Sequence, residues 1–82
     1  MNCLIIDDEQ ISRRGMSRLV ANDQRLRLDA VFSSAEEAKA YLEKNVVDLI
    51  FLDIEMDGQS GLDFARTIPP STLVVFVEAV SK

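Results

Sequence analysis

The chain has 82 residues, and its 14 acidic and 9 basic side chains give a net charge of −5, which argues against direct binding to nucleic acid because phosphate contacts need clustered Lys and Arg. It has no histidine, which excludes an imidazole base and any histidine metal ligand. A hydrophobic fraction of 48% is typical of one small globular domain, and because the sequence shows neither a membrane span nor a signal peptide, we expect a cytoplasmic protein with no membrane partner.

The first third of the chain predicts a strand, a helix and a second strand. Residues 3–6 are four successive apolar residues and are followed at once by the acidic residues 7–9. This pattern indicates a buried strand over residues 2–6, in which Cys3 is a small buried hydrophobe. Residues 26–32 alternate in polarity, as a strand at a sheet edge does. Between them, a helix over residues 10–21 is predicted by apolar residues at helical spacing, namely Ile11, Gly15, Met16, Leu19 and Val20. A solvated helix face explains the adjacent basic pair, Arg13 and Arg14.

The middle of the chain predicts a second helix and a central strand. Ser34 and Glu37 fit a capping box that begins a helix, and the pattern of this helix fades by Asn45. The apolar residues of this helix are Ala35, Ala38, Leu42 and Tyr41. Residues 46–52 are almost all apolar except for Asp48, as expected of a strand that is covered on both faces.

A third helix and a fourth strand complete the predicted order. Ser60 can cap a short helix with Asp63 in its first turn, and Pro69 with Pro70 ends it. Residues 73–77 form a continuous apolar strand. The resulting order βαβαβαβ indicates an α/β protein with a parallel sheet, in which the loops at the carboxyl ends of the strands carry function.

Acidic residues follow two of the predicted strands. Asp7 and Asp8 come after the first strand, and Asp53 comes after the third. If these strands are neighbours, the carboxylates crowd together, and two of them about 4 Å apart repel by roughly 4 kcal/mol at an effective dielectric near 20. A hard divalent cation relieves this repulsion, and all-oxygen ligation suits Mg²⁺. The alternative is a set of solvated carboxylates that lie apart.

Two motifs carry a resemblance to a known family. Residues 4–9 resemble the start of a response-regulator receiver domain of two-component systems. Residues 47–56, with Gly58 and Gly61 after them, resemble the phosphoacceptor strand and loop of the same family. The resemblance runs over the whole chain. With residues 11–15 and 64–66 included, the sequence is similar to receivers of the LytTR (LytR/AlgR) type. The resemblance implies a flavodoxin-like, doubly wound parallel sheet that is incomplete, with strand order 2-1-3-4.

The same resemblance implies roles for individual residues. Asp53 would accept a phosphoryl group from the phosphohistidine of a sensor histidine kinase, so the protein would be a signalling module and not an enzyme. Asp8 would bind Mg²⁺ directly, Asp7 would assist through water, and Glu55 would contribute its backbone carbonyl. The output would be transcriptional control by a domain that this chain does not contain.

Departures from the family pattern add two expectations. Glu78 stands where the family has Thr or Ser, and an ionised carboxylate has no proton to donate to a phosphoryl group, so aspartyl phosphate would be poorly stabilised. The helix, strand and helix with which the family domain ends, including a Lys, have no counterpart in the 82 residues. The edge of strand 73–77 would then be exposed, and we expect a homo-oligomer or a domain-swapped dimer.

Two other function classes remain open at this point. The first is a receiver that no longer switches and serves as an interaction module. Glu78 and the absence of the family's Lys from these 82 residues favour this alternative. An Mg²⁺-dependent phosphatase of the haloacid dehalogenase group would use a D-x-D motif, to which Asp53-Ile54-Glu55 has only a distant likeness.

Overall fold

The computed structural model describes residues 1–56 and 60–77 and contains one sheet of four parallel strands. The elements in chain order are β1 (Asn2–Ile6), α1 (Gln10–Ala21), β2 (Arg27–Phe32), α2 (Ala35–Leu42), β3 (Leu49–Asp53), α3 (Gly61–Ala65) and β4 (Leu73–Val77). The strand order is β2-β1-β3-β4. The predicted flavodoxin-like topology, including this order, is therefore confirmed. In the described ranges, no helix has the length and apolar character that crossing a bilayer requires.

The core lies on both faces of the sheet. On one face, β1 and β3 pack against α2 and α3, and the main contributors are Leu4, Ile6, Ala38, Ile50, Leu52 and Phe64. On the other face the same two strands pack against α1, through Cys3, Ile5, Leu49 and Val20. Cys3 is fully buried as a free thiol, as predicted. Because the central strands are covered on both faces, their carboxyl ends are held rigidly at one edge.

Helix α1 begins and ends where the sequence predicts, but its apolar repeat does not mark its buried side. Val20 is buried, whereas Ile11 and Leu19 are 80% and 70% exposed. In the described part of the chain, α1 contacts β1 and β2. Only one side of the helix faces the sheet, so helical spacing identified the element without identifying which apolar side chains it buries.

Strand β3 begins three residues later than predicted. Val46 is 84% exposed, and its carbonyl accepts a hydrogen bond from Asn2 Nδ2 at 2.8 Å. The Asn2 backbone N–H donates to Asp48 Oδ2 at 3.0 Å. These bonds hold the residues before Leu49 as a connection to the start of β1, so the apolar run is longer than the strand.

The predicted helix caps are present, but α3 is shorter than predicted. The Ser34 and Ser60 hydroxyls accept hydrogen bonds from the N–H groups of the first turns of α2 and α3, at 3.3 and 3.1 Å. Helix α3 ends at Ala65 and not at Pro69. The Thr67 hydroxyl donates to the Phe64 carbonyl at 2.7 Å, which satisfies a carbonyl at the helix end and favours a tighter turn before the prolines.

Candidate functional site

The strand register brings the two acidic motifs together. Ile6 of β1 pairs with Leu52 of β3, so the next residues, Asp7 and Asp53, lie level with each other at the carboxyl edge of the sheet. Asp7, Asp8 and Asp53 each place one carboxylate oxygen within 4.8 Å of the other two. The predicted convergence of these three side chains is therefore present in the structure, and the alternative of separate carboxylates is not.

Backbone amides orient two of the three carboxylates. Glu9 N–H donates to Asp7 Oδ1 at 2.9 Å, and Glu55 N–H donates to Asp53 Oδ1 at 3.1 Å. Each bond spans two residues, which is the geometry of an Asx turn. Asp7 and Asp53 are 4% and 7% exposed, whereas Asp8 is exposed. The site therefore has two buried oriented carboxylates and one at its mouth.

The electrostatics of the site favour a cation. The pKa of Asp53 is raised to about 6, mainly by burial and additionally by the charges of Asp7 and Asp8, while the hydrogen bond from the Glu55 N–H lowers it. A raised pKa means that the ionised carboxylate is unfavourable in this environment. A bound cation would reverse that preference, because it stabilises the ionised form of every carboxylate that it contacts. The described residues therefore form a candidate metal centre with oxygen ligands.

Gly61 allows the chain to close around this site. Its N–H donates to the Ile54 carbonyl at 2.8 Å. A Cβ atom at position 61 would overlap the Asp53 carbonyl oxygen and lie 2.9 Å from Ile54 Cα. Only glycine lets α3 approach the end of β3 this closely. Position 61 therefore requires glycine, whereas Gly58, the other glycine of the motif, lies outside the described residues.

Sequence reasoning missed Arg13. The sequence predicts that this residue lies on a solvated helix face, yet its Nη1 donates to the Asp7 carbonyl at 2.7 Å. The signal for this contact is weak in the sequence, because a surface arginine in the first turns of a helix is common. The contact between Arg13 and Asp7 depends on the orientation of α1 relative to β1.

Two predicted roles are not tested by this geometry. Glu55 is exposed and contributes its N–H to Asp53, while the role predicted for its carbonyl stays a prediction. Glu78 lies outside the described residues. The poor stabilisation of aspartyl phosphate that is expected from Glu78 therefore stays a prediction.

Comparison with known proteins identifies the family. The sequence profile of the response regulator receiver domain matches residues 3–82. The chain belongs to this family. The receiver domain is 36% identical over 86 residues to the sensory transduction protein LytR of Streptococcus agalactiae, covering 96% of this chain and 34% of that protein. It is 37% identical over 79 residues to the positive alginate biosynthesis regulatory protein of Pseudomonas aeruginosa, covering 89% of this chain and 32% of that protein. It thus spans roughly a third of these curated relatives.

Solved receiver structures share the fold. The receiver domain superposes on the response regulatory domain of mrkE from Klebsiella pneumoniae with a TM-score of 0.87 and 26% identity, covering all of this chain and 70% of that one. A further match is MaeR bound to beryllium trifluoride, with a TM-score of 0.83 and 21% identity over all of this chain and 70% of that chain. At that identity the likeness concerns the fold alone.

Proposed function

We propose that this receiver domain accepts a phosphoryl group on Asp53 from the phosphohistidine of a sensor histidine kinase in the cytoplasm. Mg²⁺ would be held by the carboxylates of Asp7, Asp8 and Asp53 and by the Glu55 carbonyl. The observation that carries the proposal is the meeting of three carboxylate oxygens within 4.8 Å at the carboxyl edge of the sheet. A transcriptional output domain outside these residues would be controlled by the modification.

The proposed chemistry needs few protein groups. An Asp53 oxygen attacks phosphorus, an O–P bond forms, the P–N bond to the kinase histidine breaks, and the histidine nitrogen later takes up a proton. Mg²⁺, when bound, neutralises charge on the transferring oxygens. The Glu55 N–H holds Asp53 Oδ1, which fixes the orientation of the carboxylate before the reaction. Low exposure of Asp53 limits the access of water to the acceptor.

The test is phosphorylation without the kinase. Incubation with Mg²⁺ and acetyl phosphate should add the mass of one phosphoryl group, measured by intact-protein mass spectrometry. Asp53→Asn or removal of the metal by EDTA should abolish the adduct. Asp63→Asn, the same change at an exposed carboxylate of α3, is the matched control and should retain it. A protein that binds Mg²⁺ but forms no adduct, even with a beryllium fluoride mimic, would support the interaction-only function instead.

We also propose that the protein self-associates through β4. Among the described residues, β4 has a neighbouring strand on one side only. Leu73, Val75 and Phe76 are 60%, 43% and 41% exposed. An apolar strand with unpaired backbone groups on its outer side pairs readily with another chain. We therefore propose that two copies pair at this edge or exchange elements.

A lysine at the outer strand tests this association. Val75→Lys should weaken self-association by at least about tenfold in the dissociation constant, because like charges would face each other across a symmetric contact. Val31→Lys is the matched control, since Val31 lies on the opposite outer strand, β2, and is 38% exposed. Sedimentation equilibrium at micromolar concentration measures both variants. A compact wild-type monomer that melts cooperatively would contradict the proposal.

A further inference from the structure

Arg13 links helix α1 to the loop that carries two of the three carboxylates. Its guanidinium donates to the Asp7 carbonyl at 2.7 Å, and its own backbone N–H donates to the Glu9 carbonyl at 3.0 Å. The same residue is therefore bonded to both ends of the three-residue segment 7–9. That segment has no regular secondary structure of its own.

Two other hydrogen bonds of Asp7 show what the Arg13 bond adds. Asp7 N–H donates to the Phe32 carbonyl at 3.0 Å, and Asp7 Oδ1 accepts from Glu9 N–H at 2.9 Å. These bonds fix the amide and the side chain, while Arg13 fixes the carbonyl. A hydrogen bond from a charged guanidinium is about twice as strong as one between neutral groups. Arg13 is also half-buried, which limits competition from water.

We propose that Arg13 is a positioning residue for the acidic site: its guanidinium holds the peptide after Asp7 so that the Asp7 and Asp8 carboxylates stay directed toward Asp53. The part of this inference that concerns Mg²⁺ rests on the proposed function. The part that concerns the order of the loop does not, because it follows from the hydrogen bonds alone.

Charge and position predict opposite effects when Arg13 is removed. A guanidinium beside a cation site repels the cation, so the loss of its charge alone would tighten Mg²⁺ binding. The loss of its hydrogen bond would loosen the ligand loop and weaken binding, as the removal of groups that orient metal ligands does. Arg14 is adjacent and exposed. Arg14→Ala therefore removes the same charge without removing the bond to Asp7.

Mg²⁺ titration by calorimetry compares Arg13→Ala, Arg13→Lys and Arg14→Ala with the wild type. Arg13→Ala should bind Mg²⁺ about tenfold more weakly. Arg14→Ala should bind it as tightly as the wild type or more tightly. Arg13→Lys keeps the charge but lacks the planar guanidinium fork, so its affinity should lie between those of the wild type and Arg13→Ala. Arg13→Ala binding as tightly as Arg14→Ala would overturn the inference.

A measurement without metal separates this inference from the proposed function. In the absence of Mg²⁺, Arg13→Ala should speed amide hydrogen exchange at Glu9, whose N–H is bonded to Asp7. The buried amide of Ile5 should exchange unchanged, which shows that the variant is folded; if Ile5 also speeds up, Arg13→Lys replaces the alanine variant. Unchanged exchange at Glu9 refutes the positioning role. A wild type that binds no Mg²⁺ refutes the metal site and leaves the exchange result to decide on Arg13.

Discussion

Gly61→Ala is expected to lower the free energy of unfolding by about 3 kcal/mol, the upper end of the usual range for overpacking. The added Cβ would overlap the Asp53 carbonyl oxygen and lie 3.0 Å from the Asp53 carbonyl carbon. Both atoms belong to the backbone of a buried strand, so neither can move as the end of a flexible side chain does. Either α3 moves outward and loses its packing against β3, or the end of β3 shifts and displaces Asp53 from its place beside Asp7. Urea unfolding followed by circular dichroism measures the loss.

Gly15→Ala is the matched control for this change. Nothing lies within 4 Å of a Cβ at position 15, and this residue is in the interior of α1. Alanine has a higher helix propensity than glycine, so this variant should be more stable than the wild type by about 0.5–1 kcal/mol. The same substitution therefore has opposite signs at the two sites. Equal stability of Gly61→Ala and the wild type would contradict the close approach of α3 to β3.

Asp53→Asn is expected to raise the free energy of unfolding of the metal-free protein at pH 7 to 8, by up to about 3 kcal/mol. The folded state holds the pKa of Asp53 at about 6, compared with an ordinary value of 3.8. Burial is the main cause, and the charges of Asp7 and Asp8 add to it. The wild type therefore loses stability when Asp53 ionises, and asparagine, which does not ionise, avoids this loss.

The sign of the pH dependence follows from the two pKa values. As the pH rises from 3.8 to about 6, the unfolded chain has already released the Asp53 proton while the folded protein still holds it. Stability then decreases with rising pH, because the folded state binds more protons. The stability that the folded protein gains from the raised pKa of Asp53 is fully present below pH 3.8 and is lost once the pH passes about 6. The stability difference between variant and wild type should therefore grow across this window and stay constant above it.

Thermal unfolding at a series of pH values, with EDTA present, measures this difference. Glu43→Gln removes one negative charge from an exposed position at the end of α2, and its effect should be small at every pH. Saturating Mg²⁺ should stabilise the wild type more than Asp53→Asn, because a ligand stabilises the state that binds it. A difference between Asp53→Asn and wild type that does not change between pH 4 and pH 8 would contradict the raised pKa.

Local sequence patterns were sufficient where a structural feature depends on neighbours along the chain. The two serine caps lie where the spacing predicts, because each bond joins residues two or three positions apart. The helix over residues 10–21 was predicted to its ends for the same reason. The convergence of Asp7 with Asp53 needed one further premise, that β1 and β3 are neighbours. The order βαβαβαβ does not give that pairing, and the family resemblance supplied it.

The predictions that failed depend on contacts between distant segments. The apolar run before Leu49 is not all strand, because Asn2, 46 positions away, bonds to Asp48. Arg13 reaches the Asp7 carbonyl because of the angle between β1 and α1, which no periodicity in the sequence encodes.

The amino-acid sequence by itself determined the type and order of the elements and which residues carry charge at the strand ends, because periodicity and composition act over a few residues. Only the tertiary structure decided the distances among the three carboxylates, the raised pKa of Asp53 and the close approach of Gly61. These quantities arise when burial and strand register bring together groups that are some 45 residues apart in the chain. Coulombic interaction and steric overlap depend on separation in space, which the order of residues does not specify.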